Sequence, residues 1–337
     1  MTTHLVEPKF LFRYASSSKY CDYRSVVNGS GSSIVFERAP AATPLLTQLY
    51  RVDLKHQHHP KQFLTTLPEM SGRPDWSWKT HQISFTGAQT APPWTGEDLQ
   101  IALAPGRGGS FQWLSGTDGM EYSTWFPSAK KLAVMTNNGT LPSPNTSEIN
   151  LKGTTIKSAI AGQRLWAGMP TVNKAQPHLI AFAGQVVQQG GKYDEDNNYI
   201  WLLDTRSKTV KPLEPGCPRK GKFERRFQGR APWWSPCGTW LVFESVRASK
   251  VSANLYSIFL IKYGESTPIR ITHPKYNMNH AKWFPNGFPG HRPGPPMLSV
   301  ASWRPPKKGQ PPAAPYQLAT LDVSSIVGPA LKARKRH

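Results

Sequence analysis

Arginines recur in the loops expected to lead into several short apolar runs of this chain. Arg73 lies in PEMSGRPDW, Arg164 in GQRLWAGMPTV, and Arg226 and Arg230 in ERRFQGRAPWW. A guanidinium is a permanently charged planar fork of N–H donors, matched to a carboxylate or a phosphate. Brought together, these four would grip one anionic group. The matching slots in TDGMEYSTW and YNMNHAKW carry Glu121, and Asn279 followed by His280. His280 is the candidate general base, with Glu121 or Arg230 as the partner such a base needs, and Asn279 is a candidate ligand contact. The competing reading is structural: each arginine pairs with a nearby acid and braces its surroundings. With 41 Lys and Arg against 20 Asp and Glu, not every base can find an acid.

The net charge of +21 carries the same message over the whole 337-residue chain. A field of that sign suits an anionic partner, whether nucleic acid, acidic polysaccharide, phosphorylated ligand or membrane surface, although a basic surface also serves solubility. Two runs concentrate it: CPRKGKFERRFQGR, with Arg219, Lys220 and Lys222, and KARKRH, Lys332–His337. Neither sits in a recognised nucleic-acid-binding motif, so nucleic acid is a second candidate partner.

Cys21, Cys217 and Cys237 are odd in number and far apart, so neither a disulfide framework nor a zinc site is expected. His56, His58 and His59 in KHQHHPK fall in a turn between outer strands with no adjacent carboxylate. No metal or cofactor is therefore expected. The N-terminal MTTHLVEPKFLFRY lacks the basic and apolar regions of a signal peptide, and runs such as IFLI are too short to span a bilayer. A cytoplasmic monomer with no transmembrane segment is expected, an export leader already removed being the alternative.

Thirty-two prolines and 27 glycines would break long helices, and favour short strands joined by turns. Such strands repeat. An apolar segment preceded by a Trp or another apolar residue and a tight turn occurs in VNGSGSSIVFE, WSWKTHQISFT, WFPSAKKLAVMT, VNKAQPHLIAFA, WSPCGTWLVFE and WFPNGFPGHRPGPPMLSVA. Aligning Phe36, Phe85, Met135, Phe182, Phe243 and Val300 gives steps of 49, 50, 47, 61 and 57 residues. A second alternating segment follows each copy, and most show a third piece such as KQFLTT, SFQWLS or TPIRIT. Four short strands per unit at that period predict an all-β, six-bladed β-propeller with four-stranded blades. The last unit lacks a fourth strand, and KFLFRY near the N-terminus is the candidate to complete it and close the ring. The expected organisation is one propeller over residues 1–331 and a basic tail over 332–337.

The repeat resembles that of the TolB-type propellers, whose core reads Trp-Ser-Pro-Asp-Gly before an apolar strand. Trp234-Ser235-Pro236-Cys237-Gly238 carries the resemblance, with Cys237 in the Asp slot; Trp283-Phe284-Pro285-Asn286-Gly287 and Trp125-Phe126-Pro127 are looser copies. The resemblance implies six blades, and a function anywhere from protein-binding scaffold to a domain of a peptidase or polysaccharide lyase. TolB-like lyases hold a metal with several channel histidines, whereas here only His280 occupies such a slot. Trp76, Trp125, Trp234 and Trp283 are expected to pack between blades. Met70, Met120, Met169 and Met278 are expected either to fill gaps there or to line a soft funnel. The function this supports is a non-catalytic binding propeller presenting a basic, arginine-lined funnel to an anionic ligand or protein partner. The alternative is a small enzyme acting on an acidic glycan or other anionic substrate, with His280 as base and Glu121 beside it.

Overall fold

In the computed structural model, residues 3–11, 19–55, 60–94, 96–137, 144–151, 155–157, 165–186, 194–219, 222–249, 255–273, 276–288, 291–303 and 316–334 are described. The chain folds as a β-propeller. Among the described residues its strands form five four-stranded sheets and one five-stranded sheet. In chain order the sheets begin with the inner strands Tyr20–Val27, Met70–Trp76, Met120–Trp125, Leu165–Val172, Arg230–Trp234 and Asn277–Trp283. Each inner strand packs against the next, and Asn277–Trp283 also packs against Tyr20–Val27.

Every sheet is built outward by antiparallel hairpins, so the order within a sheet follows the chain. The second strands, such as Ser33–Pro40, Gln82–Ala88 and Trp240–Ser245, are buried along nearly their whole length, since neighbouring sheets cover both of their faces. That is why IVF, ISF and LVF read as continuous apolar runs and not as an alternation. Phe36, Phe85, Phe182 and Phe243 from these strands are fully buried. The outermost strands are short, as in Lys61–Gln62 and Gln112–Trp113, which leaves little free edge for unwanted pairing.

The N-terminal residues serve two sheets. Lys9–Phe10 pairs antiparallel with Gln317–Asp322 on the outside of the sixth sheet, with Lys9 opposite Thr320. Just before it, Thr3–Val6 adds in parallel to Ile269–Thr272 of the fifth sheet. The expectation of four strands in every blade is therefore corrected in the fifth sheet, because the chain ahead of Lys9 is long enough to reach the neighbouring edge. The C-terminal region is corrected too. Ser324–Arg334 is a helix that seats Val327 against the apolar core of the fifth and sixth sheets, so the first residues of KARKRH continue a helix. Gly328 and Pro329 interrupt its pattern and hid it from the sequence. Residues 335–337 lie outside the described residues.

The repeated tryptophans pack between sheets as expected: Trp76, Trp125, Trp234 and Trp283 are all buried. The indole N–H of Trp125 donates to the Asp75 carbonyl of the preceding sheet at 3.3 Å, and that of Trp283 to the Trp233 carbonyl at 3.2 Å. The tight turn after Trp234 is locked in the same direction. Asn173, in the turn of the fourth sheet, donates from Nδ2 to the Gly238 carbonyl at 3.0 Å. Gly238 has φ +68°, and a Cβ there would meet Asn173 Oδ1 at 2.2 Å. Gly238→Ala is expected to cost about 2 kcal/mol through backbone strain and this clash together. Gly264→Ala, at φ +94° with no atom within 4 Å of the added Cβ, is expected to cost about 1 kcal/mol from strain alone. Denaturant midpoints of the two variants distinguish these costs, and equal losses would show that the inter-sheet contact is not felt.

Candidate binding site in the axial channel

The stretches read from the sequence as lead-in loops are themselves the inner strands. GRP, AGMP and RAP suggested loops because they are rich in Gly and Pro. An inner strand, however, has the channel on one side and no partner strand there, so Pro74, Pro170 and Pro232 remove no ladder hydrogen bond on that side. Each inner strand also shifts register midway, between Tyr23 and Val26, Gly72 and Asp75, Glu121 and Thr124, Gly168 and Thr171, Arg230 and Trp233, and Asn279 and Lys282. At each shift one non-glycine residue has positive φ: Arg24 at 26°, Arg73 at 52°, Tyr122 at 50°, Met169 at 50°, Ala231 at 47° and His280 at 54°. Bulges of this kind re-aim a side chain, and repeated strain in the backbone marks a place where that aim matters.

The six bulge residues meet around one cavity. Trp233 and Lys282 also face it. Three of the bulges are fastened by the sheet before them. The backbone N–H of Arg73 donates to the Glu37 carboxylate, that of Tyr122 to Thr86 Oγ1 at 3.1 Å, and that of His280 to Glu244 Oε2 at 2.5 Å. Glu37, Thr86 and Glu244 each follow a buried Phe of a second strand, so the same slot of the repeat supplies the acceptor each time.

The arginines around the cavity are paired. Arg24 Nη1 lies 2.8 Å from Glu37 Oε2, and Arg73 forms an ion pair with Glu121. Arg230 Nε lies 2.6 Å from Glu244 Oε1 and its Nη1 3.6 Å from Asp196 Oδ1. Arg73 also stacks 4.4 Å from the centre of the Tyr122 ring, and Arg230 4.0 Å from that of Tyr256. Burial works against the Arg73 charge, but Glu121, Tyr122 and Glu37 together raise its pKa above the ordinary value. Burial also raises Glu244, against the pull of Arg230 and of the His280 N–H. His280 is pushed well below the ordinary histidine value by burial and then by Arg24, Arg230, Lys282 and Arg73, which keeps it neutral at pH 7. Lys282 differs from the arginines. Its Nζ donates to the Pro74 carbonyl at 2.6 Å and sits 4.1 Å from the centre of the Trp233 ring. Burial lowers its pKa to about 8 despite the more distant Asp75 and Glu37.

The residues singled out from the sequence divide accordingly. Arg73 and His280 line the cavity. Arg230 stands behind it against Glu244 and Tyr256, and Glu121 holds Arg73 in an adjoining groove. That groove, open to solvent, runs between the first and second sheets and shares Arg24 and Arg73 with the cavity. Asn279 does not face the cavity; its Nδ2 donates to the Tyr316 hydroxyl at 3.2 Å. Arg226 is corrected. It lies on the short turn Arg225–Phe227, its side chain is 72% exposed, and it pairs with Glu224 at 2.7 Å. Arg164, His56, His58, His59 and Lys220 lie outside the described residues. The carboxylate beside His280 is Glu244, with Oε2 3.7 Å from Nδ1, and Glu121 is taken by Arg73. Of the four methionines, Met169 reaches the cavity and Met70 the groove, while Met278 is fully buried in the core. Arg24, Tyr122, Ala231 and Lys282 went unnoticed in the sequence. A signal existed: every bulge residue stands three positions ahead of the repeat Trp or Val.

Glu244→Ala is expected to cost about 3 kcal/mol, because it removes the close carboxylate from Arg230 and frees the bulge N–H of His280. Adding Arg230→Met should recover part of the loss in denaturant melts, and strictly additive losses would show that the pair is not coupled.

No family model and no curated protein sequence matches the chain. Solved structures do. A putative TolB from Agrobacterium tumefaciens superposes with a TM-score of 0.56 at 13% identity, covering 75% of this chain and 81% of that one. TolB from Acinetobacter baumannii gives a TM-score of 0.45 at 13% identity over 92% of this chain and 65% of its own, a looser overlap on which nothing is built. Among the described residues no helix is long and apolar enough to cross a membrane. Identity at this level speaks for architecture alone: the chain has a β-propeller fold similar to that of this putative TolB.

Proposed function

We propose that the chain is a non-catalytic binding propeller that takes an anionic group, from a ligand or a protein partner, into its axial cavity. In this reading the ring closes as six blades, the N-terminal strand completing the sixth. The antiparallel pairing of Lys9–Phe10 with Gln317–Asp322 and the packing of the sixth inner strand on the first both support that closure. The observation that carries the binding reading is the charge arrangement at the cavity. Arg24, Arg73 and Arg230 each have a glutamate partner, whereas among the described residues no carboxylate lies within 4.0 Å of Lys282. A buried ammonium without an ion pair is costly, and an anion entering beside it offsets that cost. The paired arginines supply the wall against which the anion rests, and Met169, Ala231 and Trp233 supply an apolar side.

Catalysis by His280 is the second reading. One observation favours it: a neutral imidazole facing the cavity is in the form that accepts a proton.

Thermal melting in a panel of acetate, succinate, phosphate and acidic oligosaccharides tests the binding reading. A bound anion at a hundred times its Kd should stabilise the fold by about 2.7 kcal/mol. Lys282→Met should abolish most of that shift. Melting points unmoved by every anion, or moved equally in Lys282→Met, would overturn the reading. Turnover of an acidic oligosaccharide that disappears in His280→Ala would decide for the enzyme.

A further inference from the structure

The lysines near the axis are held in two different ways. Lys174 donates to the Trp125 carbonyl and has Asp75 at 3.9 Å. Among the described residues Lys282 has no such pair. Its amine is fixed by one neutral carbonyl, that of Pro74 on the second sheet, and by the Trp233 face on the fifth. It lines the same cavity as the guanidinium-bearing Arg24 and Arg73 and the imidazole of His280. An amine positioned against an apolar wall and among other cations is the arrangement in which lysine acts as a nucleophile.

From this geometry we infer that Lys282 is a covalent site that condenses reversibly with the carbonyl group of a small oxo acid, whose carboxylate is seated by Arg24 and Arg73. The inference rests on the anion-binding reading for the carboxylate alone. The amine nitrogen attacks the carbonyl carbon. One N–H proton passes to the carbonyl oxygen to give a carbinolamine, and loss of water leaves the imine. No oxidant or reductant enters, and water reverses the reaction. The Trp233 ring and the side chain of Met169 border the cavity on the side away from Arg24 and Arg73, where the rest of the oxo acid would lie.

Burial, and not the balance of the charged groups facing the amine, favours its neutral form. Asp75 and Glu37 hold the proton on, while Arg24 and Lys174 drive it off, and burial outweighs them all. The amine therefore titrates near pH 8, and at pH 7 its neutral fraction is about two orders of magnitude above that of an ordinary lysine. Loss of the proton with rising pH increases the reactive form, so the rate of condensation should rise to a plateau above pH 8.

The test is reductive trapping on the full chain. The protein is incubated with glyoxylate and cyanoborohydride, which delivers hydride to the imine carbon and leaves a carboxymethylated lysine that peptide mass spectrometry locates. Lys282 should label at least about tenfold faster than any other lysine at pH 7, Lys174 included. Acetaldehyde, which lacks the carboxylate, should label it more slowly. Lys282→Arg should lose the adduct while keeping the melting shift caused by acetate, so covalent capture and anion binding are read separately. Labelling spread evenly over the lysines would overturn the inference. Equal rates for acetaldehyde and glyoxylate would overturn the assignment of an oxo acid.

Discussion

The structure depends on how the inner strand of one sheet is tied to the sheet before it. A residue with positive φ sits in the middle of each inner strand, and a backbone in that state does not persist unless its surroundings hold it. Glu37, Thr86 and Glu244 do so directly by accepting the bulge N–H of Arg73, Tyr122 and His280. Their position after a fully buried Phe makes them rigid. The Trp and Asn173 contacts tie neighbouring sheets in the same sense. Orientation of the axial side chains is thus a property of the contact between sheets.

That coupling makes two of the carboxylates serve twice. Glu37 fastens the Arg73 bulge and also pairs with Arg24, and Glu244 fastens the His280 bulge and also pairs with Arg230. The chain as a whole has twice as many bases as acids, yet its axis is close to balanced. The surplus positive charge lies mostly elsewhere, on exposed residues such as Arg226, Arg219 and Lys222. Around the cavity the arginines are walls, and the unusual cation is Lys282. A long, flexible side chain with a compact charge can lie in a partly apolar channel and lose its proton, which a guanidinium does not do.

Much of the architecture was legible along the chain. The recurring Trp, tight turn and apolar segment located the second strand of each sheet, since a strand covered on both faces must be apolar throughout. KFLFRY was legible as an outer strand for the last sheet, of which Lys9–Phe10 is the part seen paired. The inner strands resemble loops in sequence because Gly and Pro lower strand propensity, and that penalty does not apply on a side with no neighbour to bond. The helix at Ser324–Arg334 was hidden by Gly328 and Pro329, and its anchoring comes from Val327 meeting a core built by other parts of the chain. The site was half legible: Arg73 and His280 were found by residue type, whereas Arg24, Tyr122, Ala231 and Lys282 belong to it by position.

The sequence by itself determined the repeat, the apolar second strands and the burial of the repeated tryptophans, because period, turn chemistry and apolar content are local and act over a dozen residues at a time. Only the tertiary structure decided which acid each of these arginines meets, that Glu244 and not Glu121 stands beside His280, and that Lys282 reaches the axis with no ion pair among the described residues. Partners dozens to hundreds of residues apart are brought together by the angle between successive sheets. That angle is set by packing between whole sheets, which no single stretch of sequence encodes.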